Sequence, residues 1–224
     1  MKVLRALLLL LISFGLTSCT YSSRLERGIF QSPDVSPKIQ ARVLVLSDHI
    51  AQPLFVFKDY HEKSTVHSYK IDLRDGSLVA AADALNTFFS TVEVDSSAKS
   101  SRYDYWAQLD YQVSNYRTDS TESVQWLGYS QIPQLQTRVT LTLFKSSGEV
   151  IFTDYAQRIN RVELNNQTAV TQRLQTAGTN VLLPFTSPLY TQSMGDSLRY
   201  TLGRDLNECL LEIMQTLRDN WDNL

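Results

Sequence analysis

A period-two alternation in the middle of the chain constrains the fold more than any other feature. Tyr103, Tyr105, Ala107, Leu109, Tyr111 and Val113 alternate with mostly polar neighbours, and Val139, Leu141 and Leu143 repeat the pattern within Gln136–Lys145. Successive strand side chains point to opposite faces, so such a stretch gives one face of a sheet to a core and the other to solvent. Ser146-Ser147-Gly148 is a turn signal and Glu149–Ile159 returns as another strand, which predicts a β-hairpin over 136–159.

A sheet with one apolar face needs a cover. Leu198, Leu202, Leu206, Leu210, Ile213, Leu217 and Trp221 recur at helical spacing and predict an amphipathic helix from about Gly195 to Asn220. Leu78, Ala82, Leu85 and Phe89 predict a second helix, opened near Asp75-Gly76-Ser77 with Asp75 or Ser77 as its N-cap. Ile39–Leu46, Pro53–Phe57, Val66–Leu73 and Thr91–Val94 read as strands, the second at an edge because of its proline. Leu183-Pro184-Phe185 with Pro188 reads as irregular chain, and Ala169–Leu174 as a helical turn. The element order predicts an α+β fold: a two-layer sandwich with a mostly antiparallel sheet and two long helices packed on one face, forming a single domain over 39–224.

The N-terminus carries a different kind of information. Lys2 and Arg5 precede an uncharged, leucine-dominated run from Ala6 to Leu16, the charged and apolar regions of a secretory signal. The run falls short of the roughly 20 apolar residues that a spanning helix needs. Leu16-Thr17-Ser18-Cys19 then resembles the bacterial lipobox, with small residues before a cysteine that accepts a diacylglycerol as a thioether. An ordinary signal peptide and an uncleaved signal anchor are the alternatives. The resemblance implies cleavage after residue 18, acylation of Cys19 by palmitate-class chains and a membrane partner through that residue. Two or three chains make a stable anchor where one is marginal. By the same resemblance, Thr20 rather than Asp at the next position implies sorting to the outer membrane of a Gram-negative cell, over retention in the inner membrane. Residues 19–38 read as the lipidated N-terminus and a polar tether.

Removing residues 1–18 takes Lys2 and Arg5 with it and leaves 206 residues, with 19 Lys+Arg against 23 Asp+Glu and a formal charge of −4. That balance excludes nucleic acid as a default partner, since phosphate binding needs a basic surface. With Cys19 acylated, Cys209 has no disulfide partner and is expected in the core.

Chemistry-bearing motifs are sparse. There is no Gly-x-Ser-x-Gly elbow, Walker loop or dinucleotide fingerprint. His49, His61 and His67 lack ligand spacing and are expected at the surface, so neither a metal nor a cofactor is expected. Asp104 and Asp110 share a strand face and read as solvating carboxylates. No catalytic residue is assigned, and the chain is expected not to be an enzyme. The aromatic cluster is more informative. Parity separates Tyr103, Tyr105 and Tyr111 from Trp106 and Tyr116, and Trp126 and Tyr129 follow. Trp106, Tyr116, Trp126 and Tyr129 are therefore the candidate contacts for a ligand or partner.

Taken together, the lipobox, N-terminal strand, helix, long strands and C-terminal helix resemble small Gram-negative outer-membrane lipoproteins. That class includes the auxiliary lipoproteins of ABC-type transport systems and the lipopolysaccharide-assembly lipoprotein. The resemblance implies a non-catalytic accessory or assembly subunit with envelope protein partners, anchored on the periplasmic face of the outer membrane. The alternative is a glycan- or lipid-binding envelope module that uses the aromatic strand face.

Overall fold

The computed structural model describes residues 20–25, 37–48, 50–61, 65–95, 102–121, 130–162 and 183–223. Among the described residues, eight strands lie in two sheets, covered by two helices. The strands are β1 (Thr20–Arg24), β2 (Ile39–Leu46), β3 (Leu54–His61), β4 (Thr65–Asp72), β5 (Phe89–Asp95), β6 (Tyr105–Thr121), β7 (Ser130–Lys145) and β8 (Val150–Arg161). Helix α1 (Arg74–Asn86) sits between β4 and β5, and α2 (Leu183–Asn220) follows β8 and ends in a short 3-10 turn at Trp221–Asn223.

The sheets run β1-β4-β3 and β5-β2-β6-β7-β8. The α+β architecture is as expected, and most of the pairing is antiparallel, but the sheets are mixed rather than purely antiparallel. β2 pairs parallel with both β5 and β6, and β1 pairs parallel with β4. The cause is the return path. The chain leaves β2, makes the β3–β4 hairpin, and is carried back by α1, so β5 restarts in the direction of β2. Antiparallel pairing survives where the connection is short, in β3–β4 and in β6–β7–β8. Gly148, with φ of 90°, closes the β7–β8 turn, a conformation that favours glycine.

Alternation fixes which face is covered. Ala107, Leu109, Tyr111 and Val113 of β6, with Leu135, Val139, Leu141 and Leu143 of β7, enter the main core with Leu198, Leu202, Leu206, Leu210 and Leu217 of α2. Ala80, Ala81, Ala84 and Leu85 of α1 join them; the alanines favour helix and let it lie close to its neighbours. α1 opens differently from the expectation. Its N-cap position is Leu73, and the Asp72 carboxylate accepts from Arg74 N–H at 3.0 Å, while Ser77 Oγ donates to the Arg74 carbonyl. Hydrogen bonding from Arg74 holds the Asp72 carboxyl below its ordinary value.

α2 begins a dozen residues earlier than its leucine stripe predicts, because Leu183–Pro188, read as irregular chain, is helical. Pro184 lies in the first turn, where the missing N–H has no intrahelical partner to lose. The helix therefore spans both sheets. Its early part meets β1 and β4 through Tyr21–Asp196 and His67–Thr191, and its later part meets β6 and β8 through Tyr111–Leu202 and Asn160–Asp205. Beyond it, Trp221 packs edge-on against Phe88, Phe89 and Tyr105.

Candidate functional site

Two regions concentrate structure that the core alone does not require. The first is the junction directly after Cys19. Residues 20–24, inside the stretch read from sequence as a tether, are the strand β1, paired from Thr20↔Ser68 to Arg24↔Asp72. Two glycines make room for it. A Cβ on Gly195 would collide with the Tyr21 ring, and a Cβ on Gly76 would lie 2.7 Å from the Leu25 carbonyl oxygen. Tyr21 then donates from its hydroxyl to Asp196 Oδ1 at 2.8 Å, and Arg199 Nη2 reaches the same oxygen at 3.2 Å. Burial pushes the Tyr21 hydroxyl above its ordinary value, and the anionic acceptor adds to the rise. Leu25 is buried, and its N–H continues the ladder to the Asp72 carbonyl.

His67 belongs to this junction and corrects the expectation of a surface histidine. It is buried, with Nδ1 2.7 Å from Thr191 Oγ1. The pairing satisfies a polar ring that β4 carries inward and α2 covers.

The second region is the face of the five-stranded sheet away from the helices. Trp106 lies there half-buried, stacked on Phe144 at 3.6 Å between centroids and 2° between planes. Leu44, the β2 partner of Trp106, is buried beside it. Tyr116 sits at the irregularity between Asn115 and Arg117 and is 57% exposed. Trp106 and Tyr116 lie ten positions apart along β6, roughly 33 Å, so the structure does not bring these two candidates together. Trp126, Tyr129 and Cys19 lie outside the described residues. Of the opposite parity set, Tyr111 is buried and donates to the Leu202 carbonyl, and Tyr103 precedes the strand and donates to Glu93 at 2.6 Å. Asp104 does not pair functionally with Asp110. Its Oδ2 accepts from Arg42 N–H, and Asp110 accepts from Gln112.

The same face carries a cleft of ≈ 310 Å³ lined by Ala51, Gln52, Gln112, Val113, Ser114, Gln136 and Arg138. Gln52 uses its amide like a strand segment, accepting from Val113 N–H at 2.6 Å and donating to Val113 O at 3.0 Å. Arg138 stacks over the Tyr155 ring at 4.7 Å. Three primary amides and a guanidinium offer neutral and cationic donors to a polar ligand. Gln52, Phe144 and Arg138 escaped the sequence reading because strand parity identifies a face without identifying its neighbours on other strands.

Between α2 and β8 lies a buried polar contact. Asp205 is fully buried, accepts from Asn160 at 2.8 Å, and leaves Oδ2 without a partner among the described residues. Arg158 bridges from β8 to Glu208 and Glu212 on α2. Cys209 is buried as expected, and burial pushes its thiol up to about 12.

No protein-family model matches the sequence, and neither does any curated protein. Solved structures do. A Xanthomonas campestris protein described as DUF330 shares 11% identity over 91% of this chain and 99% of its own, at a TM-score of 0.38. A proposed neuraminyllactose-binding hemagglutinin homolog from Helicobacter pylori shares 13% over 79% of this chain and 100% of its own, at 0.38. A proposed lipoprotein from Caulobacter crescentus shares 12% over 59% and 78% respectively, at 0.24. Likeness at this level carries no activity, ligand or partner over to this chain.

Proposed function

We propose that the chain is a non-catalytic lipoprotein of the cell envelope, held at the periplasmic face of a Gram-negative outer membrane by acyl chains on Cys19. It acts there as an accessory or assembly subunit in envelope transport or biogenesis, through protein contacts. The observation that carries this reading is the Leu16-Thr17-Ser18-Cys19 motif in register behind a charged and then apolar leader. Among the described residues no helix is long and apolar enough to cross a membrane, and two or three acyl chains on Cys19 would make a stable anchor. Confinement to a surface raises the effective concentration of such a subunit for partners on the same membrane.

Metabolic labelling with palmitate tests the anchor. The wild-type chain is expected to incorporate label and fractionate with outer membranes, and Cys19→Ser to remain an unlabelled precursor. Label on the Ser variant overturns the reading. In-cell crosslinking of the acylated chain tests the role. Recovery of envelope proteins at fixed stoichiometry is expected, and recovery of the lipoprotein alone refutes a subunit role.

A further inference from the structure

The geometry points to a fixed seat on the bilayer: the pole of the domain that holds the start of β1, the start of α2 and the outer end of the β3–β4 hairpin lies against the lipid surface. The inference rests on acylation of Cys19 and adds an orientation to it. Its first support is covalent. Cys19 precedes Thr20 directly, so their Cα atoms are about 3.8 Å apart. Thr20 is already paired with Ser68, and β1 is locked by Tyr21 over Gly195 and by the Tyr21–Asp196 hydrogen bond. No free spacer separates the attachment point from the fold.

The second support is direction. β1 runs parallel to β4, which starts three residues before Ser68, so the β3–β4 hairpin extends roughly 10 Å beyond Thr20 on the Cys19 side. Tyr21 meets α2 at Gly195 and Asp196, whereas His67, further toward the hairpin end, meets Thr191. Moving toward Cys19 therefore moves toward the start of α2, which continues to Leu183, roughly 12 Å past Thr191. β6 obeys the same polarity. Its Tyr105 packs near Trp221 and its Tyr111 on Leu202, so its later residues also head for this pole.

The third support is composition, and it is independent of the anchor. From Leu183 to Gly195 the helix carries no charged residue, in the sequence Leu-Pro-Phe-Thr-Ser-Pro-Leu-Tyr-Thr-Gln-Ser-Met-Gly. From Asp196 onward it carries Arg199, Arg204, Asp205, Glu208, Glu212, Arg218 and Asp219. This end of α2 therefore brings no charged group to be desolvated at the headgroup boundary, while the β3–β4 hairpin at the same pole does carry charge, at Lys58 and Asp59. The far pole, with the Ser146–Gly148 turn and the charged end of α2, then faces away from the membrane.

The test uses the acylated mature chain in phosphatidylethanolamine–phosphatidylglycerol vesicles that carry a nitroxide on the lipid headgroup. In a Cys209→Ser background, Gln192→Cys and Ser147→Cys each take a fluorophore at an exposed position, near and far from the proposed seat. The two lie toward opposite ends. From the Tyr111–Leu202 contact, Gln192 is ten helical residues, roughly 15 Å, in one direction. Lys145, next to the turn that holds Ser147, is six strand positions from Val139, the partner of Tyr111, roughly 20 Å in the other. Loss of most emission at position 192 and retention at 147 is expected. Equal loss at both, or loss at 147 alone, overturns the orientation. A Gly-Ser spacer inserted between Cys19 and Thr20 is expected to equalise the two positions; a difference that survives it refutes control by the short attachment. Mass spectrometry of the N-terminal peptide reads the anchor separately. Acyl mass with equal emission refutes only the orientation, and missing acyl mass refutes the anchor and the seat with it.

Discussion

The ring of Tyr21 occupies the space where Gly195 lacks a side chain. A residue near the N-terminus of the fold thereby sets what the long helix tolerates 174 positions later. Gly195→Ala is expected to push the ring out and cost about 1–3 kcal/mol, as overpacking typically does. For a chain of this size each kcal/mol corresponds to about 2–4 °C in Tm. Thermal melts of Gly195→Ala, Tyr21→Ala and the double variant form a cycle in which the alanine at 195 costs little once the ring is gone. Additive losses would show that the two residues do not meet.

Gln52 stands in for a missing strand at the edge of β6. β2 pairs with β6 only from Tyr105 to Ala107, and the amide of Gln52 serves Val113 further along. Gln52→Ala removes both hydrogen bonds at once and is expected to cost about 1–3 kcal/mol in urea melts, the range for leaving a half-buried backbone group unpaired. Hydrogen exchange at the Val113 amide should accelerate in the variant beyond the change in global stability. Unchanged protection there would refute the role.

Asp205 makes stability depend on pH. Burial raises its carboxyl above the ordinary 3.8, against the opposing pull of Asn160 and Arg204. The folded chain holds this proton at pH values where the unfolded chain has lost it. The site's contribution is therefore fully present below about pH 4 and is lost as pH rises through the raised value. Asp205→Asn, which cannot ionise, is expected to gain stability relative to wild type as pH goes from acid to neutral. A difference in Tm that is flat across that range would contradict the assignment.

The thiol of Cys209 should be inert in the native state. It is buried in α2 and pushed up to about 12, so little thiolate forms at neutral pH and a disulfide reagent has no path to it. Native protein is expected to remain unmodified and urea-unfolded protein to react stoichiometrically, as read by absorbance or mass. Rapid native modification would place the residue in an open site.

What was legible in the sequence was local. The β7–β8 hairpin shows because Val139, Leu141 and Leu143 alternate beside a glycine turn, and α2 shows because Leu198 to Leu217 keep one helical stripe. β1 does not show. Thr-Tyr-Ser-Ser-Arg has no apolar run, and its place is fixed by β4, 48 positions on, and by Gly195. His67 was misplaced for the same reason, since Thr191 supplies its partner from across the chain. The parallel pairing of β2 with β5 and β6 depends on return paths that no local pattern encodes. The candidate aromatics divide likewise. Parity gave Trp106 its face, but the Phe144 ring that stacks on it comes from another strand.

The parallel alignment of β1 with β4 has a mechanical consequence. A pull on the chain at Cys19 enters along the axis of β1, so the ladder from Thr20↔Ser68 to Arg24↔Asp72 takes the load in shear. Its pairs strain together instead of unzipping one by one. The load then passes through Tyr21–Asp196 and His67–Thr191 into α2, which works as a tie-rod running beneath both sheets.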